Sequence, residues 1–168
     1  MNALLLESPF PDFDSISAEH VVPAIEAILN ANRSELASIK DGVEGADLVQ
    51  AFHALERLSA RLNDAWAPIA HLNAVMSHDA LRAAYNTCLP LLSAYETELG
   101  QDRDLLEIYE AIAAQQTALQ LSPAECKAVA NALRDFRLSG VALSDNDRKR
   151  YGELKQRLSG QTSLFSEH

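Results

Sequence analysis

The stretch "SPAECKAVANALRDFRLSG", Ser122 to Gly140, carries the clearest secondary-structure signal in the sequence. Serine at the N-cap, proline at the first helical position and glutamate at the third predict a capping box, which satisfies two backbone donors reciprocally. Val129, Leu133 and Phe136 follow at the spacing of one helix face. Gly140 is well placed for a left-handed C-cap. The stretch therefore predicts a complete amphipathic helix.

Apolar residues at helical spacing continue over nearly the whole chain, and no segment alternates convincingly as a strand would. We predict an all-α, antiparallel bundle of about six or seven helices. Residues 17–100 should form a first helical group and residues 101–168 a second. Residues 1–16, with Phe10 and Phe13, are predicted to form an extended arm that docks its aromatic rings onto the body.

Capping residues and helix breakers give the other helix boundaries. Gly42 and Gly45 should break the chain after the first helix. Pro68 is predicted to kink or divide the second helix, which begins near Ala46, and Pro90 to kink the third. The residues expected to start helices are Ser17, Ser77, Asp102 and Ser144.

The last predicted helix is amphipathic up to the end of the sequence. Tyr151, Leu154, Leu158 and Phe165 fall close to one of its faces, and no stop signal follows them. We interpret it as a truncated helix that continues in a longer protein. Because an exposed apolar stripe seeks a partner, we also expect it to promote dimerisation of this chain.

The composition limits the class of partner. The chain of 168 residues has 14 basic and 24 acidic side chains, a formal net charge of −10. Such a balance argues against nucleic acid and against anionic membrane surfaces, because both attract basic proteins. Residues 1–126 carry a net charge of −13 and residues 127–168 a net charge of +3. The basic end is either a solvated helix face or a surface for an acidic partner.

The cellular compartment is predicted from the cysteines and from the beginning of the chain. Cys88 and Cys126 each lie in an apolar helical pattern, as expected for free thiols in a reducing compartment. Residues 3–6 are apolar but too few for a signal peptide, and no apolar run is long enough to span a bilayer. We therefore expect a cytoplasmic protein.

No arrangement of residues indicates catalysis or metal binding. The five histidines form no HExxH motif, and no GxSxG, Walker or GxGxxG sequence is present. His71 and His78 are seven residues apart, with a predicted helix start between them. His53 and Glu56 have the spacing of a di-iron bundle, but such a bundle needs several inward carboxylates that the apolar faces lack. We predict no catalytic and no metal-binding residue.

Two polar patches are candidates for contact with another domain or with a channel. One lies in "WAPIAHLNAV", after Trp66, which we expect to fill the core; the other lies in "NALRDFRLSG". In both, the polar groups could instead bond to neighbouring residues or to backbone groups that lose their helical partners at a proline. The candidate residues are His71, Asn73, Asn131, Arg134, Asp135 and Arg137.

Four stretches together resemble one protein family. They are "FPDFDSISAEHVVPAIEAIL", "WAPIAHLNAV", "LRAAYNTCLPLLSAYETELG" and "KAVANALRDFRLSGVALSDNDRKRYGELKQRLS". In this order they resemble the N-terminal region of oligopeptidase A and its relatives thimet oligopeptidase and neurolysin. The "NALRDFRLSGVAL" block is the specific part of the resemblance, which covers essentially the whole chain. One departure is Gly160, where a better helix former is expected.

The resemblance implies that residues 1–168 are the N-terminal helical domain of a longer zinc metallopeptidase. In that family zinc activates a water, and the HExxH helix and third glutamate ligand lie far downstream. The helices here would form one wall of a deep, narrow channel that admits only short peptides. The partners implied are the missing C-terminal catalytic domain and, for the whole enzyme, short peptides. The resemblance also implies that this segment alone is inactive. From the charge alone, we expect the acidic character to favour cationic peptides.

Two other hypotheses remain beside the resemblance. The chain could be a stand-alone helical adaptor that binds a partner helix or peptide, and a stop codon directly after His168 would favour it. A four-helix metal bundle needs paired inward carboxylates that we do not find.

Overall fold

The prediction of an all-α fold is confirmed. A computed structural model describes residues 2–6, 8, 10–42 and 47–166, and none of these residues forms a β-strand. Together they form six α-helices: α1 (Ala18–Gly42), α2 (Leu48–Val75), α3 (Asp79–Gly100), α4 (Arg103–Gln115), α5 (Pro123–Leu138) and α6 (Asp145–Ser166). None of the helices in the described part of the chain is long and apolar enough to cross a membrane.

The arm before α1 differs from the prediction. Short 3₁₀ turns at Ala3–Leu5 and Phe13–Ser15 fold it instead of leaving it extended throughout. Leu4 is buried against the body, whereas the ring of Phe10 is 80% exposed. The prediction that aromatic rings dock the arm is therefore wrong for Phe10. The aliphatic side chain of Leu4 packs the arm against the body instead.

Most predicted helix ends are confirmed. The Asp102 carboxylate accepts a hydrogen bond from the Leu105 N–H at 3.0 Å and caps α4. Ser122 and Glu125 form the capping box of α5, each side chain accepting from the backbone N–H of the other. At the other end of α5, Gly140 has φ +79°. The break predicted at Gly45 and the helix start at Ala46 lie outside the described residues.

The C-terminus of α5 shows why a glycine is needed there. The Val141 N–H bonds to the Phe136 carbonyl at 3.3 Å, and the Gly140 N–H bonds to the Arg137 carbonyl at 3.2 Å. This is a Schellman motif, in which a left-handed residue lets the chain turn back on the helix. Val141 and Phe136, the pair that this motif brings together, are both buried in the core.

Two predicted starting residues do not cap through their side chains. His78, not Ser77, caps α3, since its Nδ1 accepts from the Leu81 N–H at 3.4 Å. The Ser17 hydroxyl is buried and makes no hydrogen bond, while the Ser17 N–H donates to Nδ1 of His20 at 3.3 Å. At α3 an imidazole nitrogen takes the role that we assigned to the Ser77 hydroxyl, whereas at α1 the imidazole of His20 accepts from the N–H of the N-cap residue.

Pro68 does not divide the second helix, which runs without interruption through it. A proline removes one backbone donor and crowds the preceding turn, a local cost of about 3 kcal/mol. Ala65 lies about one turn before Pro68 and Ile69 directly follows it, and both are buried in the core. Their packing holds the helix together on each side of the proline. Pro90 likewise lies inside an uninterrupted α3.

The buried side chains form two hydrophobic clusters. The first joins the N-terminal part of α1, the C-terminal part of α2, and α3, with Leu4 added from the arm. The second joins the C-terminal part of α1, the N-terminal part of α2, α4, α5 and Val141. Tyr109 lies in the second cluster, 6.4 Å from Phe52 and 5.6 Å from Phe136 between ring centroids.

A buried polar residue lies where the two clusters meet along α1. Asn32 is fully buried between Leu29 of the first cluster and Leu36 of the second. Its amide Nδ2 donates to the Leu58 carbonyl at 3.0 Å, and its Oδ1 accepts from Arg61 at 3.1 Å. Because a buried amide must keep its partners, these bonds fix how α1 lies along α2.

Candidate functional site

Three of the histidines that the structure describes make polar contacts within the fold, and the fourth, His71, is exposed. His20 and His78 accept backbone hydrogen bonds at helix starts, and Nε2 of His53 lies 2.8 Å from the carboxylate of Glu125. The ring of His71 lies 5.6 Å from the ring of Phe13. His168 lies outside the described residues. Among the described residues, no three His, Cys, Asp or Glu side chains come together as metal ligands would.

Neither cysteine is arranged as a nucleophile. Both are free, as predicted, and Cys88 is fully buried in the first cluster. Burial raises the pKa of the Cys88 thiol to about 11, because the thiolate would lose its hydration. Cys126 is half-buried, and its Sγ lies 3.8 Å from the Leu121 carbonyl. The reactive thiolate form of Cys88 is therefore scarce at neutral pH.

An open groove of about 1300 Å³ runs between the N-terminal arm and α2. The arm contributes apolar side chains, among them Leu6 and Phe13, and α2 contributes Pro68 and His71. Arg57 of α2 also lines it, and its side chain is exposed. Of the candidate residues, His71 is the one that lines this groove.

Asn73 makes a local contact near the end of α2. Its side-chain oxygen accepts a hydrogen bond from the Ser77 hydroxyl at 3.4 Å, directly beyond the helix end. The residue is half-buried. The contact agrees with the interpretation that polar groups here bond to neighbouring residues.

The candidate residues of α5 lie away from the second cluster. Arg134 donates through Nε and Nη2 to the Asp135 carboxylate at 3.0 and 2.9 Å. Arg134, Asp135 and Arg137 are exposed, and Asn131 is half-buried. The pairing with a neighbouring residue that we considered is thus observed for Arg134 and Asp135. Their contact with another domain stays a prediction.

The candidate residues lie in two separate parts of the fold. His71 and Asn73 lie at the C-terminal part of α2, which packs in the first cluster, whereas the other four lie on α5, which packs in the second. The structure adds exposed apolar residues that our list of candidates omitted. Leu138 is 68% exposed beside the α5 patch, and on α6 Leu158 is 61% and Phe165 83% exposed. The helical spacing of α6 had indicated the second group.

Comparisons with known proteins identify the family of the chain. A family model described as "Neurolysin/Thimet oligopeptidase, N-terminal domain" matches residues 25–148, and the chain belongs to this family. The resemblance read from the sequence is thereby confirmed.

Individual relatives are similar along almost the whole chain. Oligopeptidase A of Haemophilus influenzae is 39% identical over 98% of this chain and 24% of its own length. Oligopeptidase A of Escherichia coli is 37% identical over the same shares of the two chains. The probable cytosolic oligopeptidase A of Arabidopsis thaliana is 34% identical over 99% of this chain and 24% of its own. The chain corresponds to the N-terminal domain of oligopeptidase A-like peptidases and spans about a quarter of their length.

Proposed function

We propose that this chain acts as the non-catalytic N-terminal domain of a peptidase that hydrolyses short peptides in the cytoplasm. The similarity of 98% of the chain to the N-terminal 24% of oligopeptidase A carries the proposal. The remaining part of such an enzyme would supply the catalytic residues and zinc. Two free cysteines fit a reducing compartment.

The described residues do not fit a zinc site of their own. A catalytic zinc needs three protein ligands and an open position, and no such group exists among them. His53 and Glu125 come together as a single pair, and Glu125 is already engaged in the capping box of α5. No step of peptide hydrolysis is therefore assigned to this domain.

The contribution of the domain would be steric. Helices packed on two hydrophobic clusters provide a wall, and a narrow channel bounded by such a wall would exclude folded chains. The candidate residues of this wall are the patches of α2 and α5: His71, Asn73, Asn131, Arg134, Asp135 and Arg137. The net charge of −10 would favour cationic peptides by raising their local concentration.

A peptidase assay tests this proposal. The isolated chain, incubated with zinc and a quenched fluorescent peptide, should give no turnover. The polypeptide expressed from the complete reading frame should hydrolyse the same peptide, and a chelator should abolish the activity. The complete polypeptide should hydrolyse folded substrates much more slowly than short peptides taken from the sequences of those substrates. Chelator-sensitive turnover by the isolated chain would contradict the assignment.

A second function, a stand-alone helical adaptor, is favoured by one observation, the exposed apolar side chains of α6. An adaptor would use them to bind a partner helix. The reading frame distinguishes the two functions. A stop codon directly after His168 supports the adaptor, and an open frame that reaches an HExxH sequence supports the peptidase.

A further inference from the structure

Helix α6 presents an apolar stripe to solvent. We define the α6 stripe as Leu154, Leu158 and Phe165, which are 52%, 61% and 83% exposed. Their spacing of four and seven residues places them within roughly 40° of one another around an α-helix. They therefore lie on one side of the helix.

The apolar stripe of a surface helix normally faces the core, whereas the α6 stripe faces solvent. Here α6 packs on α3, and its half-buried residues are others than the three of the stripe: Arg148, Tyr151, Gly152, Lys155 and Ser159. A Cβ added at Gly152 would lie 3.5 Å from the Thr97 methyl group, which shows how closely this face approaches α3. At 3.6 residues per turn the α6 stripe points roughly 95° away from the centre of the half-buried face.

Two arginine side chains lie along one side of the α6 stripe. Arg150 and Arg157 are exposed, and both fall next to the stripe on the side away from Tyr151. Neither is in an ion pair with any residue that the structure describes. Residues 127–168 carry a net charge of +3 in a chain of net charge −10. A partner that fits this face is apolar and has carboxylates along one edge.

The size of the α6 stripe argues against a second copy of the chain as a stable partner, contrary to the dimerisation that we expected from the sequence. Its three side chains offer on the order of 300 Å² of apolar surface. A stable complex between separate molecules buries about 800 Å² on each partner. A contact within one polypeptide needs less area, because covalent linkage supplies an effective concentration in the millimolar range.

The comparisons indicate which part of a polypeptide this would be. The match to the N-terminal domain ends at residue 148, in the first turn of α6. The relatives have about three quarters of their length outside the similar region. We propose that the α6 stripe and its arginines are the docking surface for the C-terminal part of the peptidase, which meets it with an apolar, acid-edged surface. This inference rests on the proposed function.

Thiol labelling in two forms of the protein tests the inference. Leu158→Cys is made in the isolated chain and in the polypeptide of the complete reading frame, and maleimide labelling is followed by peptide mass mapping. Gln156→Cys, exposed on another side of the same helix, is the matched control. Labelling at position 158 should be about tenfold or more slower in the complete polypeptide, because a covered thiol reacts only when the contact opens. Labelling at position 156 should change little.

Three results would overturn the inference. Equal labelling at position 158 in both forms, in a complete polypeptide that hydrolyses peptides, rejects the docking surface and leaves the proposed function intact. Protection in the isolated chain that increases with its concentration assigns the α6 stripe to a second copy instead. A complete reading frame without peptidase activity rejects the proposed function itself. Leu154→Cys repeats the measurement independently in case Leu158→Cys fails to fold.

Discussion

Helices α5 and α6 follow each other along the chain, and each begins with a serine cap. The core-facing apolar residues of α5 are buried, whereas the apolar residues of α6 are exposed. On α5, Val129 and Phe136 are 2% and 6% exposed. On α6, Leu158 and Phe165 are 61% and 83% exposed. Both helices carry apolar residues at helical spacing in the sequence. The difference shows that helical spacing predicts that a face needs a partner, whereas the packing of the domain decides whether the domain itself supplies one.

A pair of phenylalanine substitutions gives the largest expected effect. Phe136→Ala should lower the free energy of unfolding by about 3–5 kcal/mol, because it leaves a cavity beside Tyr109 in the second cluster. Phe165→Ala, the control on α6, should change it by less than about 0.5 kcal/mol. Urea unfolding of the isolated chain followed by circular dichroism measures both. Similar losses for the two variants would mean that α6 is covered within the isolated chain.

A pair of glycine substitutions should have effects of opposite sign. Gly140→Ala places a side chain at φ +79°, with its Cβ 2.6 Å from the Leu143 side chain, and should cost about 1–2 kcal/mol. Gly160→Ala, inside α6 with nothing within 4 Å of the new Cβ, should add roughly 0.5–1 kcal/mol of stability. The shift in melting temperature reports the sign of each. A stabilising alanine at position 140 would show that the left-handed C-cap is wrong.

The two serine caps offer a smaller test. Ser122→Ala removes the acceptor for the Glu125 N–H and should cost about 1 kcal/mol. Ser144→Ala removes the acceptor for the Asp147 N–H, 3.3 Å away at the start of α6. We expect a smaller loss of unfolding free energy there, because α6 buries little apolar surface. If the two losses are equal in urea unfolding, α6 belongs fully to the cooperative unit.

The smallest expected effect is a pH dependence at the α5 cap. Hydrogen bonds from His53 and Ser122 lower the pKa of Glu125 from 4.5 to about 2. A depressed carboxyl pKa contributes stability that is complete above about pH 4.5 and is lost as the pH falls towards 2. Glu125→Gln should therefore flatten part of the decline in stability between those values. Urea unfolding at a series of pH values measures it, and an unchanged acid decline would contradict this role.

The helix ends that were predicted correctly depend on short-range chemistry. Ser122 with Glu125, Asp102, and Gly140 each act on backbone groups within a few residues. A cap can therefore be recognised from sequence spacing alone. The all-α class follows in the same way, since the spacing of apolar residues has one period along the chain.

What could not be predicted depends on residues distant in sequence. Whether α2 continues through Pro68 is decided by the burial of Ala65 and Ile69 against α1 and α3. The bond from Asn32 to the Leu58 carbonyl joins residues 26 positions apart, and no local pattern marks it. For the α6 stripe, the spacing placed Leu154 and Leu158 on one face and led us to expect that it is exposed, but that α6 packs on α3 through its other side could not be predicted.

The amide of Asn32 has a mechanical consequence. Helices α1 and α2 both run through the two hydrophobic clusters, and the Asn32 bonds clamp them together midway. Bending the domain between its clusters would require two long helices to yield at once and would strip a buried amide of its acceptor. We therefore expect the domain to resist bending between its two hydrophobic clusters.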